Sequence, residues 1–279
     1  MKVLIWHGYL LGGTGSNVYT RALARAWSKL GHEVVVFCQE PHPEEFDLGG
    51  ATVARPQLDG PLPVFVLDRY EDLEARYLQD LSQAEREEFV ERNAATVREH
   101  LPADFLLTNH VLLGAPVGAA VGMPFTVKAH GSELEFSMRG NEELCSWARE
   151  ALAGAREVLA GSEHIRAVLG DVVGWTERVR VVPPGVDVAE FWPEPREEAL
   201  ATLLEEAGRD TAPTSERDPD AANAKRLRDF FAGDEPTVVY VGKLSEEKGV
   251  HLLLEALGHV DARAVIVGFG PARVGPGRP

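Results

Sequence analysis

The sequence predicts an α/β fold built on parallel β-sheets. Apolar segments of about four or five residues alternate with longer amphipathic segments, which is the pattern of consecutive strand–helix–strand units. Several of the apolar segments end in glycine-rich turns. Four consecutive apolar residues, Val238 to Val241, are typical of a strand that is covered on both faces of a parallel sheet.

The composition limits the class of protein. The 279 residues allow one large domain or two ordinary domains, and 44% hydrophobic with 26% charged residues is typical of a soluble globular protein. A formal net charge of −16 argues against a nucleic-acid-binding protein, since phosphate neutralisation needs a basic surface. Cys38 and Cys145 have no metal-ligand spacing and are too few for a disulfide framework.

The same composition predicts a cytoplasmic location. The first residues lack the features of a signal peptide. No apolar run approaches the ~20 residues that cross a bilayer, although peripheral membrane contact stays open.

The first predicted unit is a strand, a loop, a helix and a second strand. Lys2 to Trp6 form the first strand, and an apolar stripe predicts a helix from about Asn17 to Leu30. Gly31 suits the position that ends this helix in a left-handed conformation. Val34 to Phe37 form the next strand, and the right-handed crossover of such a unit implies a parallel sheet.

The loop before this helix is rich in glycine. Gly12, Gly13, Thr14 and Gly15 allow the backbone to approach a phosphate at the helix N-terminus. The spacing differs from the dinucleotide fingerprint. Glu40 follows the second strand and resembles a ribose-binding acid, so a nucleotide-cofactor oxidoreductase is one alternative. A flexible connection without a ligand is another.

The middle of the chain continues the same alternation. Further strands are predicted at Thr52 to Ala54, Val64 to Leu67, Phe105 to Thr108, Pro124 to Ala129, Glu157 to Ala160 and Val179 to Val182. Helices are predicted at about Glu71 to His100, Leu112 to Ala120, Glu142 to Ala155 and Glu163 to Leu169. Mixed charges in the first of these helices predict a solvated face without a site.

A histidine marks the end of one predicted strand. His130 is followed by Gly131, Ser132 and Glu133, at the carboxyl edge where open α/β sheets bind ligands. A histidine at this edge can donate a hydrogen bond or hold charge near neutral pH. A purely structural histidine is the alternative interpretation.

We expect two domains joined by a hinge. Pro183, Pro184 and Gly185 form a rigid turn that is typical of a domain boundary. Residues 1–185 are the predicted N-terminal domain, 186–234 a hinge with an acidic and partly mobile insertion, and 235–279 the start of a second domain.

The second domain begins with a strand and a turn that carries two lysines. Gly242 opens the turn, and Lys243 and Lys248 lie beside the start of a helix predicted from His251 to Leu257. Backbone N–H groups at a helix N-terminus favour an anion, so the two ammonium groups predict a diphosphate site. Alternatively the lysines only offset the charges of Glu246 and Glu247.

Together these motifs resemble family 4 of the retaining glycosyltransferases. The resemblance rests on the order and spacing of five short motifs: Gly12–Gly15, His130–Glu133, Val182–Asp187, Gly242–Gly249 and Gly268–Pro271. It implies the GT-B fold of two facing Rossmann-like domains, of which the chain holds a complete N-terminal domain and the first β-α-β unit of the second.

The resemblance also implies residue roles. Lys243 and Lys248, with Gly242, would hold the diphosphate of a nucleotide-sugar donor, and His130 would be the catalytic residue near the donor sugar. The glycine loop would contact the donor phosphates or the acceptor. Further cleft residues would be Gly131, Ser132, Gly268 and Gly270. The sugar would be transferred with retention to a small-molecule, lipid or glycan acceptor, without a metal or other cofactor.

Two departures from the family pattern qualify this expectation. Lys243 stands where the family commonly has an arginine, which would form a bidentate contact with phosphate. The chain also lacks the family's later E-x7-E segment and ends in a run of Gly, Pro and Arg. We therefore expect a truncated enzyme of compromised activity, with a catalytically silent acceptor-binding module or half of a split enzyme as the alternative.

Overall fold

The computed structural model describes residues 1–65, 73–209 and 222–268, apart from the side chain of Glu247. The chain divides into two compact units, Met1–Gly185 and Val186–Pro279. The predicted site residue Gly270 lies outside the described residues, and so do residues 210–219 of the segment expected to be mobile, Gly208 to Pro219.

The described residues form short strands and helices in alternation. The strands are β1 (Lys2–Trp6), β2 (Glu33–Phe37), β3 (Thr52–Ala54), β4 (Leu62–Val64), β5 (Ala75–Tyr77), β6 (Phe105–Asn109), β7 (Phe125–Lys128), β8 (Glu157–Ala160), β9 (Val179–Val181), β10 (Thr237–Val241) and β11 (Arg263–Val267). The α-helices are α1 (Gly15–Lys29), α2 (Gln83–Arg98), α3 (Val111–Val121), α4 (Glu142–Leu152), α5 (Glu163–Val173), α6 (Arg196–Arg209), α7 (Asn223–Phe231) and α8 (Val250–Leu257). A π-helix covers Glu133–Met138.

The first unit is organised around a parallel sheet with the strand order β3-β2-β1-β6-β7-β8-β9. Each neighbouring pair in this sheet is parallel. The predicted α/β fold with a parallel sheet is confirmed. All strands of a parallel sheet end at the same edge, so the residues that follow β1, β6 and β7 lie close together.

Helices cover both faces of this sheet, as the alternation of side chains in β1 shows. Leu4 and Trp6 join the apolar cluster that contains residues of α2, α3 and α4. Val3 and Ile5 point to the opposite face and join a smaller cluster with Ala24 of α1. Because successive residues of a strand face opposite sides, one short strand contributes to both halves of the core.

The helix predicted from about Glu71 begins later, at Gln83. Ser82 and Glu85 form a capping box, in which the Ser82 hydroxyl accepts from the Glu85 N–H at 3.3 Å and the Glu85 carboxylate accepts from the Ser82 N–H at 2.8 Å. These bonds satisfy N–H groups that a helix start leaves unpaired, which fixes the start of α2 at this point. The expected helical segment before it contains strand β5 instead.

The prediction of a solvated charged face on α2 is wrong for Arg86. Arg86 is only 7% exposed, pairs with Glu143 of α4 and lies 5.6 Å over the Trp147 ring. Arg98, in the last turn of α2, donates at 2.9 Å to the carbonyl oxygen of Ala120 in α3. The arginines of α2 therefore attach this helix to its neighbours.

In the second unit, β10 and β11 pair in parallel, and α8 connects them along the chain. Val239 is 60% and Val241 is 75% exposed. The prediction that β10 is covered on both faces is therefore wrong for the described residues, because a two-stranded sheet with one short helix leaves apolar side chains uncovered. Among the helices described, none has the length and hydropathy needed to cross a membrane.

Candidate functional site

Three histidines lie in a row at the carboxyl edge of the large sheet. His7 follows β1 directly, His110 follows β6 directly, and His130 lies two residues after β7. The ring centroids of His7 and His110 are 6.0 Å apart, and those of His110 and His130 are 4.6 Å apart. We call these three residues the histidine row. Of these three histidines, the sequence predicts only His130 as a site residue.

The histidine row lies where the strand order of the large sheet reverses. The strand order of the sheet reverses between β1 and β6, because β2 lies on one side of β1 and β6 on the other. Open α/β sheets bind their ligands in the crevice at such a reversal, at the carboxyl ends of the strands. His7 and His110 flank this crevice, so the histidine row occupies the edge where a ligand is expected.

Burial keeps the histidine row neutral. It lowers the pKa of His7 to about 4 and that of His130 to about 3. Burial also lowers the pKa of His110 well below its usual value, and the adjacent His130 and His7 act in the same direction. At neutral pH the imidazoles of the row are therefore uncharged, and a neutral imidazole has one hydrogen-bond donor and one acceptor.

The outer histidines of the row have hydrogen-bond partners, and the central one has none among the described residues. Nε2 of His7 lies 2.8 Å from Oδ1 of Asn17, and Nε2 of His130 lies 2.9 Å from Oδ1 of Asn109. Both ring nitrogens of His110 are buried and unpaired. Its backbone has a φ of 70°, which is uncommon for a residue with a side chain and occurs often at functional sites.

Glu133 connects the row to helix α3. This fully buried carboxylate accepts hydrogen bonds from the backbone N–H groups of Val111, Leu112 and His130, at 2.8, 2.8 and 3.0 Å. Burial raises the pKa of Glu133 to about 7, against the opposite effect of the three donors. Glu133 thus fixes the backbone beside both His110 and His130.

Lys128 supplies a buried ammonium group near the row. The residue is 3% exposed, and its Nζ donates at 2.9 Å to the carbonyl oxygen of Val182. The same Nζ lies 5.3 Å over the Tyr19 ring. Burial lowers the pKa of Lys128. The sequence interpretation did not select Lys128, since a lysine inside a strand carries no local signal of a site.

The glycine loop leads from β1 to α1. Thr14 is the N-cap of α1, where its Oγ1 accepts from the Asn17 N–H at 3.4 Å. Gly13 has a φ of +85°, and a Cβ atom placed on Gly13 or Gly15 would meet nothing within 4 Å. At Gly12 a Cβ would lie 3.3 Å from the Phe46 ring. The open side of Gly13 and Gly15 leaves their backbone accessible to a ligand.

Glu40 has a structural role. One carboxylate oxygen accepts from the Leu11 N–H at 3.0 Å, and the other accepts from the His42 N–H at 3.2 Å. The side chain is 8% exposed. Both oxygens hold this chain's own backbone, so Glu40 is unsuited to bind a ribose, and the oxidoreductase alternative loses its supporting residue.

Gly131 and Ser132 connect His130 to the π-helix. A Cβ atom on Gly131 would lie 3.3 Å from Cδ1 of Ile165. Ser132 is the N-cap of the π-helix and makes no side-chain capping bond. Their position next to His130 places both residues at the sheet edge, as predicted, and their role in ligand binding stays a prediction.

The lysine turn lies in the second unit. After β10, the N–H of Gly242 donates at 2.9 Å to the Val267 carbonyl oxygen, and the Tyr240 hydroxyl donates at 2.8 Å to the Lys243 carbonyl oxygen. A single 3₁₀ turn ends at Lys248, and Gly249, with a φ of 68°, is the N-cap of α8. Lys248 is exposed and Lys243 is partly exposed. The turn therefore has the strand–turn–helix form that the sequence predicts.

Gly268 lies against the lysine turn. A Cβ atom on Gly268 would be 1.8 Å from the carbonyl oxygen of Gly242, so only glycine fits. Its described contact is thus one of packing between two strand ends. In the described ranges, His, Cys, Asp and Glu side chains do not gather in a group of three or more that suits a metal ion.

A doubly wound parallel sheet with a glycine loop and a polar ligand edge defines a Rossmann-like domain. The sequence model of Glycosyltransferase Family 4 matches residues 13–190, and the chain belongs to this family. The match covers Gly13 to Gly15 of the glycine loop, the histidines at 110 and 130, and the hinge. The family assignment made from the motifs is confirmed.

Solved structures show the same fold at low sequence identity. Anabaena HepE, solved in complex with UDP and glucose, has 16% identity and a TM-score of 0.61, over 96% of this chain and 61% of that one. A glycosyltransferase from Rickettsia africae has 15% identity and a TM-score of 0.57, over 95% and 60% of the two chains. The trehalose-6-phosphate synthase OtsA has 12% identity and a TM-score of 0.51, over 98% and 66%.

These comparisons support the predicted GT-B-like fold class, with β10, α8 and β11 as the described part of the second Rossmann-like unit. The chain spans about three fifths of the length of HepE and of the Rickettsia protein. Comparison with curated protein sequences gives no match.

Proposed function

We propose that this protein transfers a sugar from a nucleotide-sugar donor to a hydroxyl-bearing acceptor, with retention of the anomeric configuration. The observation that carries the proposal is the family match over residues 13–190, which includes Gly13 to Gly15 of the loop and the strand ends at His110 and His130. The first unit supplies the acceptor side of the reaction, and the second supplies the donor side.

The lysine turn is the proposed diphosphate site. Lys243 and Lys248 flank a turn that leads into α8, where the N-terminal N–H groups add partial positive charge. Positive charge at this point stabilises the negative charge that develops on the leaving diphosphate, so the reaction proceeds without a metal. HepE was solved with UDP and UDP-glucose, which makes uridine nucleotides the first donors to test.

The histidine row is the proposed hydroxyl-binding edge. Three neutral imidazoles in the sheet crevice suit hydroxyl groups of a sugar or polyol, because a hydroxyl both donates and accepts hydrogen bonds. In this proposal His130 contacts the donor sugar, and Lys128, two residues before it, adds a buried positive charge. An acceptor that is a polyol, a glycan or a lipid with a polyol headgroup fits this chemistry.

Calorimetry with UDP-, GDP- and ADP-sugars tests the donor site. We expect saturable binding of one nucleotide class and release of the nucleoside diphosphate when a suitable polyol acceptor is added. Retention is read from the NMR coupling of the anomeric proton in the product. Binding without any transfer or hydrolysis across a broad acceptor panel would contradict the proposal.

A catalytically silent acceptor-binding module is the second candidate. The observation that favours it is the exposure of Val239 and Val241 in β10, which leaves the donor-side sheet partly uncovered among the described residues. Such a module would bind polyols or glycans at the histidine row and would show no saturable nucleotide binding. The calorimetry panel therefore separates the two candidates.

A further inference from the structure

Asn109 lies between helix α1 and His130 at the end of β6. Its Nδ2 is 3.2 Å from Oγ1 of Thr20 in α1, and its Oδ1 is 2.9 Å from Nε2 of His130. Asn109 and Thr20 are both fully buried. Because neither side chain has room to reorient into solvent, the direction of each hydrogen bond can be worked out from its neighbours.

The direction of the first bond is fixed by the helix backbone. Oγ1 of Thr20 lies 2.9 Å from the carbonyl oxygen of Ser16, one turn earlier in α1. A carbonyl oxygen only accepts, so the Thr20 hydroxyl uses its single proton on Ser16. The Thr20 oxygen must then accept from Asn109. The amide NH₂ of Asn109 therefore faces Thr20, and its amide oxygen faces His130.

The amide oxygen in turn fixes the proton on the ring of His130. An amide oxygen accepts, so Nε2 of His130 carries the proton. Since burial keeps this ring neutral, Nδ1 holds a lone pair and is a hydrogen-bond acceptor. The same arrangement occurs at His7, where the Asn17 NH₂ donates to the Gly12 carbonyl oxygen and the Asn17 oxygen faces Nε2 of His7.

We propose that Asn109 is a positioning residue that holds His130 in the tautomer protonated at Nε2, so that Nδ1 accepts a hydrogen bond from a substrate hydroxyl. The group recognised at this point is a hydrogen-bond donor, which excludes a phosphate or carboxylate oxygen. Whether the hydroxyl belongs to the donor sugar or to the acceptor rests on the proposed function. The assignment of the His130 tautomer does not rest on the proposed function.

Nitrogen-15 NMR of the full chain with labelled histidine tests the tautomer directly. His130→Asn identifies the His130 resonances. We expect a protonated Nε2 and an unprotonated Nδ1 in the native chain. Asn109→Leu removes the acceptor at nearly equal volume and should give a mixture of both tautomers. Asn109→Asp keeps the acceptor, so it should retain the Nε2–H form and raise the pKa of His130.

A pair of threonine variants provides a test that leaves Asn109 in place. Thr20→Val removes the hydroxyl that orients the amide, and we expect tautomer mixing at His130. Thr96→Val is the matched control. The Thr96 hydroxyl in α2 also donates to the carbonyl oxygen four residues earlier, that of Arg92, at 3.2 Å. An Nδ1–H form in the native chain, or native spectra in both Asn109→Leu and Thr20→Val, would overturn the proposal.

Activity measurements complete the test. With UDP-glucose, or the donor that calorimetry identifies, we expect kcat to fall about tenfold in Asn109→Leu, the size expected for one lost hydrogen bond. The KM for the donor should change less, since the proposed diphosphate site lies at the lysine turn. Mixed tautomers with an unchanged kcat would refute the positioning role. A native chain without any transfer activity would refute the proposed function alone, because the tautomer result stands by itself.

Discussion

Oε2 of Glu133 lies 2.8 Å from the backbone nitrogen of Leu112, in the first turn of α3. The N-cap residue of this helix is His110, whose own side chain makes no capping bond. Glu133, 22 positions beyond Val111, takes over that role, and its Oε1 also accepts from the N–H groups of Val111 and His130. One buried carboxylate therefore holds the backbone on both sides of the site.

Replacement of Glu133 by glutamine should destabilise the first unit by about 2–4 kcal/mol. Glutamine offers one acceptor oxygen to three backbone donors, and its NH₂ group faces N–H groups that need an acceptor. Urea denaturation followed by circular dichroism measures the change. Glu135→Gln is the control in the same π-helix, because Glu135 is exposed and pairs with Arg139 at the surface. Equal losses in the two variants would contradict the capping role.

The histidine row should make the stability of the protein depend on pH. The folded pKa of His110 lies well below its ordinary value, so the folded state binds fewer protons than the unfolded state below about pH 6.5. Stability is therefore lost as the pH falls. His110→Asn removes this titration and tolerates the positive φ. We expect the free energy of unfolding of the native chain to fall relative to the variant by up to about 1.4 kcal/mol per pH unit below 6.5.

Urea denaturation of both chains at pH 7.5, 6.0 and 5.0 checks this expectation. The difference between the two chains isolates the titration of His110 from that of the other groups. His164→Asn, at an exposed position of α5, is the control for the replacement of a histidine by asparagine. A constant difference between native chain and His110→Asn over this pH range would show that His110 is not held neutral by the fold.

The sequence predicts the architecture of the first unit because its signals are local. Apolar runs give the strands, and the capping box at Ser82 and Glu85 was a usable signal that the interpretation overlooked. The burial of Arg86 was not predictable locally, because it depends on Glu143 and Trp147 of another helix. Charged residues in a helix are usually exposed, but tertiary contacts bury Arg86.

The candidate site was only partly predictable for the same reason. His130 precedes a glycine and ends an apolar strand, which is a recognisable pattern. The contact between His130 and Asn109 requires that β6 and β7 are neighbours, and the contact of His110 with His7 requires the reversal of strand order at β1. The sequence places each histidine at a strand end, and the strand order brings them together.

Gly268→Ala should disrupt the packing of β10 against β11. The new Cβ atom would overlap the Gly242 carbonyl oxygen at 1.8 Å, and backbone on both sides leaves no side chain that can move away. Hydrogen–deuterium exchange of the β10 and β11 amides should become faster. Gly208→Ala in α6 is the control, since a Cβ there meets nothing within 4 Å and alanine favours the helix. Unchanged exchange in Gly268→Ala would contradict the close packing.

Lys248→Ala should weaken the binding of UDP or UDP-glucose about 10- to 100-fold. A charge-assisted hydrogen bond contributes about 1.5–3 kcal/mol, which corresponds to this change in Kd. Lys243→Arg should strengthen binding, because a guanidinium forms two parallel bonds to a phosphate where an ammonium acts as a point charge. Isothermal titration calorimetry at constant ionic strength measures both effects.

The matched control for these variants is Lys225→Ala. Lys225 is an exposed lysine of the second unit that pairs with Asp229 in α7, outside the lysine turn. Its removal changes the net charge as Lys248→Ala does, so general electrostatic attraction would weaken binding equally in both. A specific loss at Lys248 identifies the turn as the diphosphate site. Equal affinities in the native chain and Lys248→Ala would remove Lys248 from that site and leave Lys243 as the one lysine proposed for it.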